Sequence, residues 1–137
     1  MSEVPQTPAP TGVVACFVPE NASAAADFYK RAFDAEELAR IPSSDHPDRL
    51  MHCSLRINGD SIIINDAFPE YGFAFEPLKG FSLHLQVDDA QAWYDRAVAA
   101  GCNGAMPPAV MFWGDLYGQV IDPFGVRWAF GQTLPKT

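Results

Sequence analysis

Four side chains of this 137-residue sequence are best suited to chemistry: His52, His84, Tyr117 and Arg127. An imidazole can act as a general base or bind a metal, a phenol can donate a proton, and a guanidinium can hold an anion. The spacing places no carboxylate beside the two histidines, and a histidine on a polar sheet face is more often solvated or hydrogen-bonded than metal-bound. The sequence therefore favours a ligand-binding role for these residues over a His52/His84 metal site, and it assigns no catalytic residue.

The three cysteines, Cys16, Cys53 and Cys102, form no CxxC pair and no zinc-type spacing, so free thiols in a reducing compartment are expected. A thiol is a nucleophile only where a base or a positive environment makes it a thiolate. Cys53 is predicted to face the core and Cys102 to follow a helix end, whereas strand alternation leaves Cys16 able to reach a cavity. The sequence also lacks a Ser-His-Asp spacing, a P-loop and a GxGxxG turn.

The chain carries a formal net charge of -8, from 9 basic against 17 acidic residues, and no basic run offsets it. Such a chain repels phosphate backbones and anionic lipid, so neither nucleic acid nor a membrane is an expected partner. No apolar run approaches the roughly 20 residues of a membrane span. The first residues, MSEVPQTPAPTG, do not resemble a signal peptide, so a cytoplasmic protein is expected.

The first half of the chain is predicted to form a strand, a helix and three strands. GVVACFVP is typical of a buried strand, and ENASAAADFYKRAFDAEE has apolar residues at helical spacing after a cap at Asn21 or Ser23. AEELARIP is predicted to be an edge strand. The runs RLMHCSLRI and DSIIINDAF are joined by Asn58-Gly59, the pair favoured in a two-residue type I′ hairpin.

The second half repeats this order. FSLHLQV is predicted to be a strand, and DDAQAWYDRAVAAG a helix that is capped by Asp88 or Asp89 and ends at Gly101. A short segment interrupted by prolines, CNGAMPPA, then precedes two strands joined by DPFG. A single repeat of this length indicates two similar modules packed together rather than a solenoid.

These elements define the predicted domain organisation. Residues 1–11 are a flexible, Pro-rich arm, and residues 12–137 form one domain. Its modules span about 12–66 and 81–134, and the aromatic-rich loop DAFPEYGFAFEPLKG joins them.

Strand alternation predicts which side chains share a face. In the hairpin, the polar face receives His52, Ser54, Arg56, Ser61, Ile63 and Asn65. The opposite face, suited to helix packing, receives Met51, Cys53, Leu55, Ile57, Ile62 and Ile64. In FSLHLQV the polar side receives Ser82, His84 and Gln86.

In the last hairpin, Pro and Gly in DPFG favour a three-residue loop with a bulge. This loop pairs Gln119 with Ala129 and Tyr117 with Gly131. The polar side then gains Asp115, Tyr117, Gln119 and Arg127, while Trp128 and Phe130 pack under the helix. Such a face is typical of a ligand-binding cavity, and equally of a sheet face that is merely solvated.

Several stretches resemble the vicinal oxygen chelate superfamily, which includes glyoxalase I, the bleomycin resistance proteins and the extradiol dioxygenases. They are DFYKRAF, HLQVDDAQAWYDRAVAAG and DPFGVRW. A finer match, to the PhnB-like branch, rests on Met51-His52 through Asp60-Ser61, Val87-Asp88-Asp89, and Trp113 through Gly118. Two positions depart from that branch: Leu116 replaces its arginine, and Val126 replaces the histidine that follows DPFG.

The resemblance implies an α+β fold of two tandem βαβββ modules that form a cupped, mostly antiparallel sheet with helices on the outside. It also implies four metal-ligand positions, which fall on Val14, Ile63 (or Ile64 in a shifted register), Ser82 and Ala129. Metal binding there requires imidazole, carboxylate or amide oxygen. Because these residues are hydrocarbons and one serine, no metal and no other cofactor is expected.

The function predicted from these observations is binding of a small organic molecule in the concave cleft, in the manner of the bleomycin resistance proteins. The predicted ligand-binding residues are His52, Ser82, His84, Trp113, Tyr117, Gln119 and Arg127. The alternative is an enzyme of the lyase, isomerase or dioxygenase type that acts on a small oxygenated substrate without a metal or with a relocated one. The resemblance further implies a homodimer.

Overall fold

The computed structural model describes residues 10–136, which divide into two compact units with a boundary between Leu78 and Lys79. Each unit consists of one α-helix and a four-stranded mixed sheet, in the order strand, helix, strand, strand, strand. The predicted α+β fold of two βαβββ modules is therefore confirmed. The arm predicted for residues 1–11 lies, except for Pro10 and Thr11, outside the described residues and stays a prediction.

The first unit is built around a sheet with the strand order β1-β4-β3-β2. Strand β1 is parallel to β4, and the other neighbours are antiparallel. The elements are β1 (Ala15–Phe17), α1 (Ala22–Phe33), β2 (Glu36–Pro42), β3 (Leu50–Ile57) and β4 (Asp60–Ile64), followed by a 3-10 turn (Pro69–Tyr71). The edge position predicted for AEELARIP is confirmed by β2.

Helix α1 begins where its sequence provides a cap. Of the two predicted caps, Asn21 serves, because its side-chain oxygen accepts a hydrogen bond from the backbone N–H of Ala24 at 3.0 Å. The helix buries Phe28, Tyr29 and Phe33 against its sheet. The apolar stripe read from the sequence is thus the face that packs.

The Asn58-Gly59 turn has the predicted geometry. Both residues have positive φ, 51° and 88°, as a type I′ turn requires. The strands pair Arg56 with Ser61 and Ser54 with Ile63. The predicted hairpin register is therefore confirmed.

Met51 departs from the prediction that it faces the core, because 54% of its surface is exposed. The register between β2 and β3 shifts here: Ile41 pairs with His52 but the next residue, Pro42, pairs with Leu50. Met51 is the extra residue of this β-bulge, and a bulge redirects the side chain it contains. Hydrophobic alternation alone does not show where such a bulge falls.

Asp66 holds three elements of the first unit together. Its buried carboxylate accepts one hydrogen bond from the N–H of Ala22 at the start of α1 (2.9 Å) and one from the N–H of Leu50 at the start of β3 (2.6 Å). A buried carboxylate is stable when donors of this kind satisfy it. Asp66, two residues after the end of β4, thus fixes where the helix and β3 begin.

The second unit repeats this arrangement with the strand order β5-β8-β7-β6, in which only β5 and β8 are parallel. The elements are β5 (Ser82–Gln86), α2 (Ala90–Ala100), β6 (Asn103–Val110), β7 (Leu116–Ile121) and β8 (Arg127–Gln132). Asp89 is the cap of α2, since its carboxylate accepts from the N–H of Ala92 at 3.0 Å. The segment CNGAMPPA is thus most of a strand, β6, at the edge of the sheet and interrupted by shifts in register.

The DPFG loop connects β7 to β8, and the buried carboxylate of Asp122 stabilises it. One oxygen accepts from the backbone N–H groups of Phe124 (2.8 Å) and Val126 (3.0 Å), and the other accepts from Nε1 of buried Trp128 (2.8 Å). The resulting register pairs Gln119 with Ala129, as predicted. No helix within residues 10–136 has the length and apolarity needed to cross a membrane.

Candidate functional site

Six of the seven predicted ligand-binding residues belong to the second unit, and five of them lie on one face of its sheet. Across the strands, Ser82 pairs with Arg127, His84 with Ala129 and Ala129 with Gln119. One register step further, Gln86 pairs with Gly131, which pairs with Tyr117. We call this surface the His84 face and define it by Ser82, His84, Gln86, Tyr117, Gln119, Arg127, Ala129, Gly131 and Thr133.

Two aromatic rings meet on the His84 face across a strand that lies between them. His84 on β5 and Tyr117 on β7 stack with ring centroids 6.0 Å apart and planes inclined by 16°. Strands β5 and β7 are both neighbours of β8, so their backbones are about 10 Å apart. The rings reach each other because Gly131 of β8 has no side chain: a Cβ placed there would lie 2.7 Å from Cε1 of His84.

A chain of hydrogen bonds runs from Arg127 to Tyr117. A terminal nitrogen of Arg127 donates to Oε1 of Gln119 at 2.7 Å, and Nε2 of Gln119 donates to the hydroxyl of Tyr117 at 2.8 Å. Arginine has only donors, so the Gln119 atom that faces it must be the oxygen. The orientation of the Gln119 amide is therefore fixed, and with it the direction of the chain.

A second chain runs from His84 to the end of β8. Nε2 of His84 lies 2.8 Å from Oε1 of Gln86, and Nε2 of Gln86 donates to the hydroxyl of Thr133 at 2.9 Å. This contact with the Gln86 side chain holds the imidazole of His84 in place on the face.

The turn between β6 and β7 adds two exposed aromatic rings beside this face. The ring of Trp113 meets that of Tyr117 edge-on at 5.5 Å, and Phe112 meets Trp113 in the same way at 4.9 Å. Trp113 is 49% exposed and Phe112 is 98% exposed. Exposed aromatic side chains in contact with one another are a feature of binding surfaces rather than of cores.

His52, the seventh predicted residue, lies in the first unit. It is half-buried on β3, on the same face as Ser54 and Arg56. Arg56 donates to Glu36 at 3.3 Å on the neighbouring strand. The buried hydroxyl of Ser54 has no hydrogen-bond partner among residues 10–136.

The four positions at which the resemblance implies metal ligands do not carry metal-binding side chains. Ile63 faces the same side as Cys16, and Ser82 and Ala129 lie on the His84 face, where Ala129 is buried. Val14 directly precedes β1. Valine, isoleucine and alanine have no donor atoms, so this set does not fit a divalent metal. Within residues 10–136, no group of three or more His, Cys, Asp or Glu side chains could hold one elsewhere.

Two of the three cysteines, Cys53 and Cys102, are buried as free thiols. Burial raises the pKa of Cys53 from 9.0 to about 11, and burial together with the charge of Asp122 raises that of Cys102 to about 12. These groups are thiols, not thiolates, near neutral pH. Cys16 is exposed on β1.

Three residues that shape this site were not among the predicted ligand-binding residues, although Gln86 was predicted on the polar side and Gly131 opposite Tyr117. Gly131 admits the His84–Tyr117 contact, Thr133 accepts from Gln86, and Gln86 orients His84. Strand alternation from Arg127 through Ala129 and Gly131 is the signal that would have placed Thr133 on this face. The side-chain contacts themselves depend on which strands are neighbours.

A family model and a curated relative match most of this chain. The model of the "Glyoxalase/Bleomycin resistance protein/Dioxygenase superfamily" matches residues 14–130. The protein Mb0911c from Mycobacterium bovis is 42% identical over 123 residues, which are 85% of this chain and 80% of that protein.

Two solved structures extend the comparison. Protein PA1353 from Pseudomonas aeruginosa has a TM-score of 0.73 at 26% identity and covers 90% of this chain and 98% of its own. A PhnB protein from Bacillus cereus has a TM-score of 0.68 and covers 90% of this chain and 100% of its own. At 18% identity, the second similarity concerns the fold alone.

Proposed function

Because the chain belongs to the glyoxalase/bleomycin resistance protein/dioxygenase superfamily, we propose that it binds a small organic molecule on the His84 face without a metal at the family's ligand positions. The observation that carries this proposal is the set of contacting, partly exposed rings of Trp113, Tyr117 and His84. Flat, half-exposed rings offer contact area for a planar ligand at little cost in side-chain entropy.

A sheet face that is merely solvated would leave its polar side chains bonded to water. Here they are bonded to each other in two chains, and the rings between them are held by stacking. Such preorganisation lowers the entropic cost of binding, since the groups that contact the ligand are already ordered. This organisation favours a binding surface over a solvated one.

We place the chain in the PhnB-like branch of the superfamily on the strength of its sequence motifs. The segments Val87-Asp88-Asp89 and Trp113-Gly114-Asp115 match that branch, and Trp113 belongs to the proposed site. The departures at Leu116 and Val126 each remove a polar group from the matched pattern. They support binding rather than chemistry carried over from the branch.

One observation favours the alternative, an enzyme of the lyase or isomerase type acting on a small oxygenated substrate. His84 and Tyr117 stack against each other on this face, and Gln86 contacts Nε2 of the imidazole. A neutral imidazole can accept a proton from a bound substrate, and a phenol can donate one. Binding is the better supported function, because within residues 10–136 no hydrogen bond joins His84 to Tyr117 as a coupled base and acid.

A thermal-shift screen against quinones, α-keto aldehydes and cationic glycopeptides tests the proposal. A ligand at 100 times its Kd stabilises the folded chain by about 2.7 kcal/mol, which raises the Tm by several degrees. We expect a stabilising compound whose affinity falls about three- to tenfold in Trp113→Ala, the effect of losing one ring contact.

Tyr71→Ala is the matched control, since Tyr71 is a similarly exposed ring (53%) in the first unit. Equal losses of affinity in the two variants would place the ligand elsewhere. Turnover of a stabilising compound that disappears in His84→Ala or Tyr117→Phe, with folding intact, would establish the enzyme instead.

A further inference from the structure

Arg127 differs from the other arginines on the two sheets in its electrostatic partners. Arg40, Arg49 and Arg56 each have a carboxylate oxygen within 3.3 Å. Across residues 10–136, no carboxylate oxygen lies within 4.0 Å of half-buried Arg127, whose hydrogen bond goes to the neutral amide of Gln119. In a chain with a net charge of -8, this guanidinium is a positive charge without an ionic partner among the described residues.

The hydrogen-bond chain that starts at Arg127 makes this part of the His84 face a surface of donors. The guanidinium has five N–H groups, and Gln119 accepts from one of them. At the other end, the Tyr117 hydroxyl accepts from Gln119, so its own hydrogen is available for donation to a ligand. Ser82, the strand neighbour of Arg127, adds another hydroxyl. A ligand that satisfies these groups must be rich in acceptors.

The distance from the Arg127 guanidinium to the ring of Tyr117 sets the size of a ligand that can contact both. The guanidinium of Arg127 lies at the level of Gln119, which is two residues, or about 7 Å, along β7 from Tyr117. A guanidinium recognises a carboxylate through two parallel hydrogen bonds. We propose that the ligand of the His84 face is an aromatic carboxylate, with its carboxylate at Arg127 and its ring against Tyr117 and Trp113. This inference rests on the proposed function and names the chemical class of its ligand.

Titration of the isotopically labelled full chain with benzoate, benzamide and benzylamine, followed by amide NMR shifts, tests the inference. The three probes share a ring and differ in charge. We expect benzoate to shift the amides of Tyr117, Gln119 and Arg127 at a concentration at least tenfold below that needed with benzamide. Benzylamine is expected to bind more weakly still.

Arg127→Gln is expected to weaken benzoate binding about ten- to a hundredfold, the effect of losing charge-assisted hydrogen bonds, and Arg127→Lys to weaken it less. Arg96→Gln is the matched control: it makes the same charge change in the same unit, but Arg96 lies on α2, over the ring of Trp93. The unperturbed amide spectrum of each variant reports that it is folded.

The outcomes distinguish failure of the aromatic carboxylate from failure of ligand binding on the His84 face. Benzoate binding that is unchanged in Arg127→Gln, or equal affinity for benzoate and benzylamine on this face, would overturn the aromatic carboxylate and leave the proposed function standing. If none of the three probes and no compound of the thermal-shift screen shifts the amides of the His84 face, the proposed function itself fails.

Discussion

Replacement of Gly131 by alanine is expected to disrupt the side-chain contacts of the His84 face and to change the stability of the fold little. A Cβ at this position would lie 2.7 Å from Cε1 of His84, 2.8 Å from Oε1 of Gln86 and 2.9 Å from Nε2 of His84. Carbon atoms in ordinary contact are 3.5–4.0 Å apart, so the imidazole must move by about 1 Å. Because the atoms in the way are the ends of exposed side chains, they can move without disturbing the backbone.

The expected cost of Gly131→Ala to folding is small. Moving His84 away loses its stacking on Tyr117, about 0.5 kcal/mol for an exposed pair, and its hydrogen bond to Gln86, again about 0.5 kcal/mol. Alanine in a strand returns about 0.4–1 kcal/mol by restricting the unfolded chain. The net change in the free energy of unfolding is therefore below about 1 kcal/mol, or at most about 5 °C in Tm.

Gly118→Ala is the contrasting control on the next strand. A Cβ there would lie 2.9 Å from Cγ of Pro108 and 3.0 Å from the carbonyl oxygen of Met106, and neither the ring nor the backbone can turn aside. Overpacking of this kind costs about 1–3 kcal/mol. The same substitution in neighbouring strands thus has two different expected outcomes.

Urea unfolding and the NMR signals of the His84 ring measure the two effects. We expect the ring-current shift that Tyr117 imposes on His84 to disappear in Gly131→Ala and to persist in Gly118→Ala. In urea, we expect Gly118→Ala to lose more of the free energy of unfolding than Gly131→Ala. A Gly131→Ala chain that keeps the shift, or that loses as much stability as Gly118→Ala, would refute the reasoning.

Four further predictions concern the loop, the thiols and the assembly. Asp122→Asn is expected to lower the free energy of unfolding by about 1–3 kcal/mol in urea, because the amide nitrogen must face either a backbone N–H or the indole of Trp128; an unchanged midpoint would contradict this. At pH 8, Cys16 is expected to react with Ellman's reagent much faster than Cys53 and Cys102, which become reactive at the rate of unfolding. The pKa values of the two buried thiols are raised in the folded chain, so their contribution to stability is complete below about pH 9 and is lost as the pH rises through about 11 to 12; stability that stays flat over this window would exclude that contribution. Finally, sedimentation is expected to give a homodimer, and a 15 kDa species alone at micromolar concentration would contradict it.

Short-range sequence signals predicted the fold correctly where a few adjacent residues determine the geometry. Asn58-Gly59 set the register of one hairpin, and DPFG set that of the other. In both cases, the positive φ of a glycine at a fixed place in the turn determines which residues face each other. The sharing of a face by Tyr117, Gln119 and Arg127 follows from this local information.

Contacts between residues distant in sequence could not be predicted. The sequence contains no mark that the Asp66 carboxylate accepts from Ala22, 44 residues earlier, or that Gln86 reaches Thr133. The bulge at Met51 likewise depends on how β2 meets β3. The ligand-binding role of the predicted residues stays a prediction, because the geometry describes which side chains meet and not what they bind.

The two consecutive prolines of β6, Pro107 and Pro108, lie at the outer strand of the second sheet. Successive N–H groups of a strand point to opposite sides, so one proline removes a donor from the ladder with β7 and the other removes one from the open side. The first loss coincides with the break in pairing between Met106 and Ala109. The second means that a strand from a nascent or partly unfolded chain cannot form a continuous ladder along this edge, so fibrillar growth by strand addition is hindered at β6.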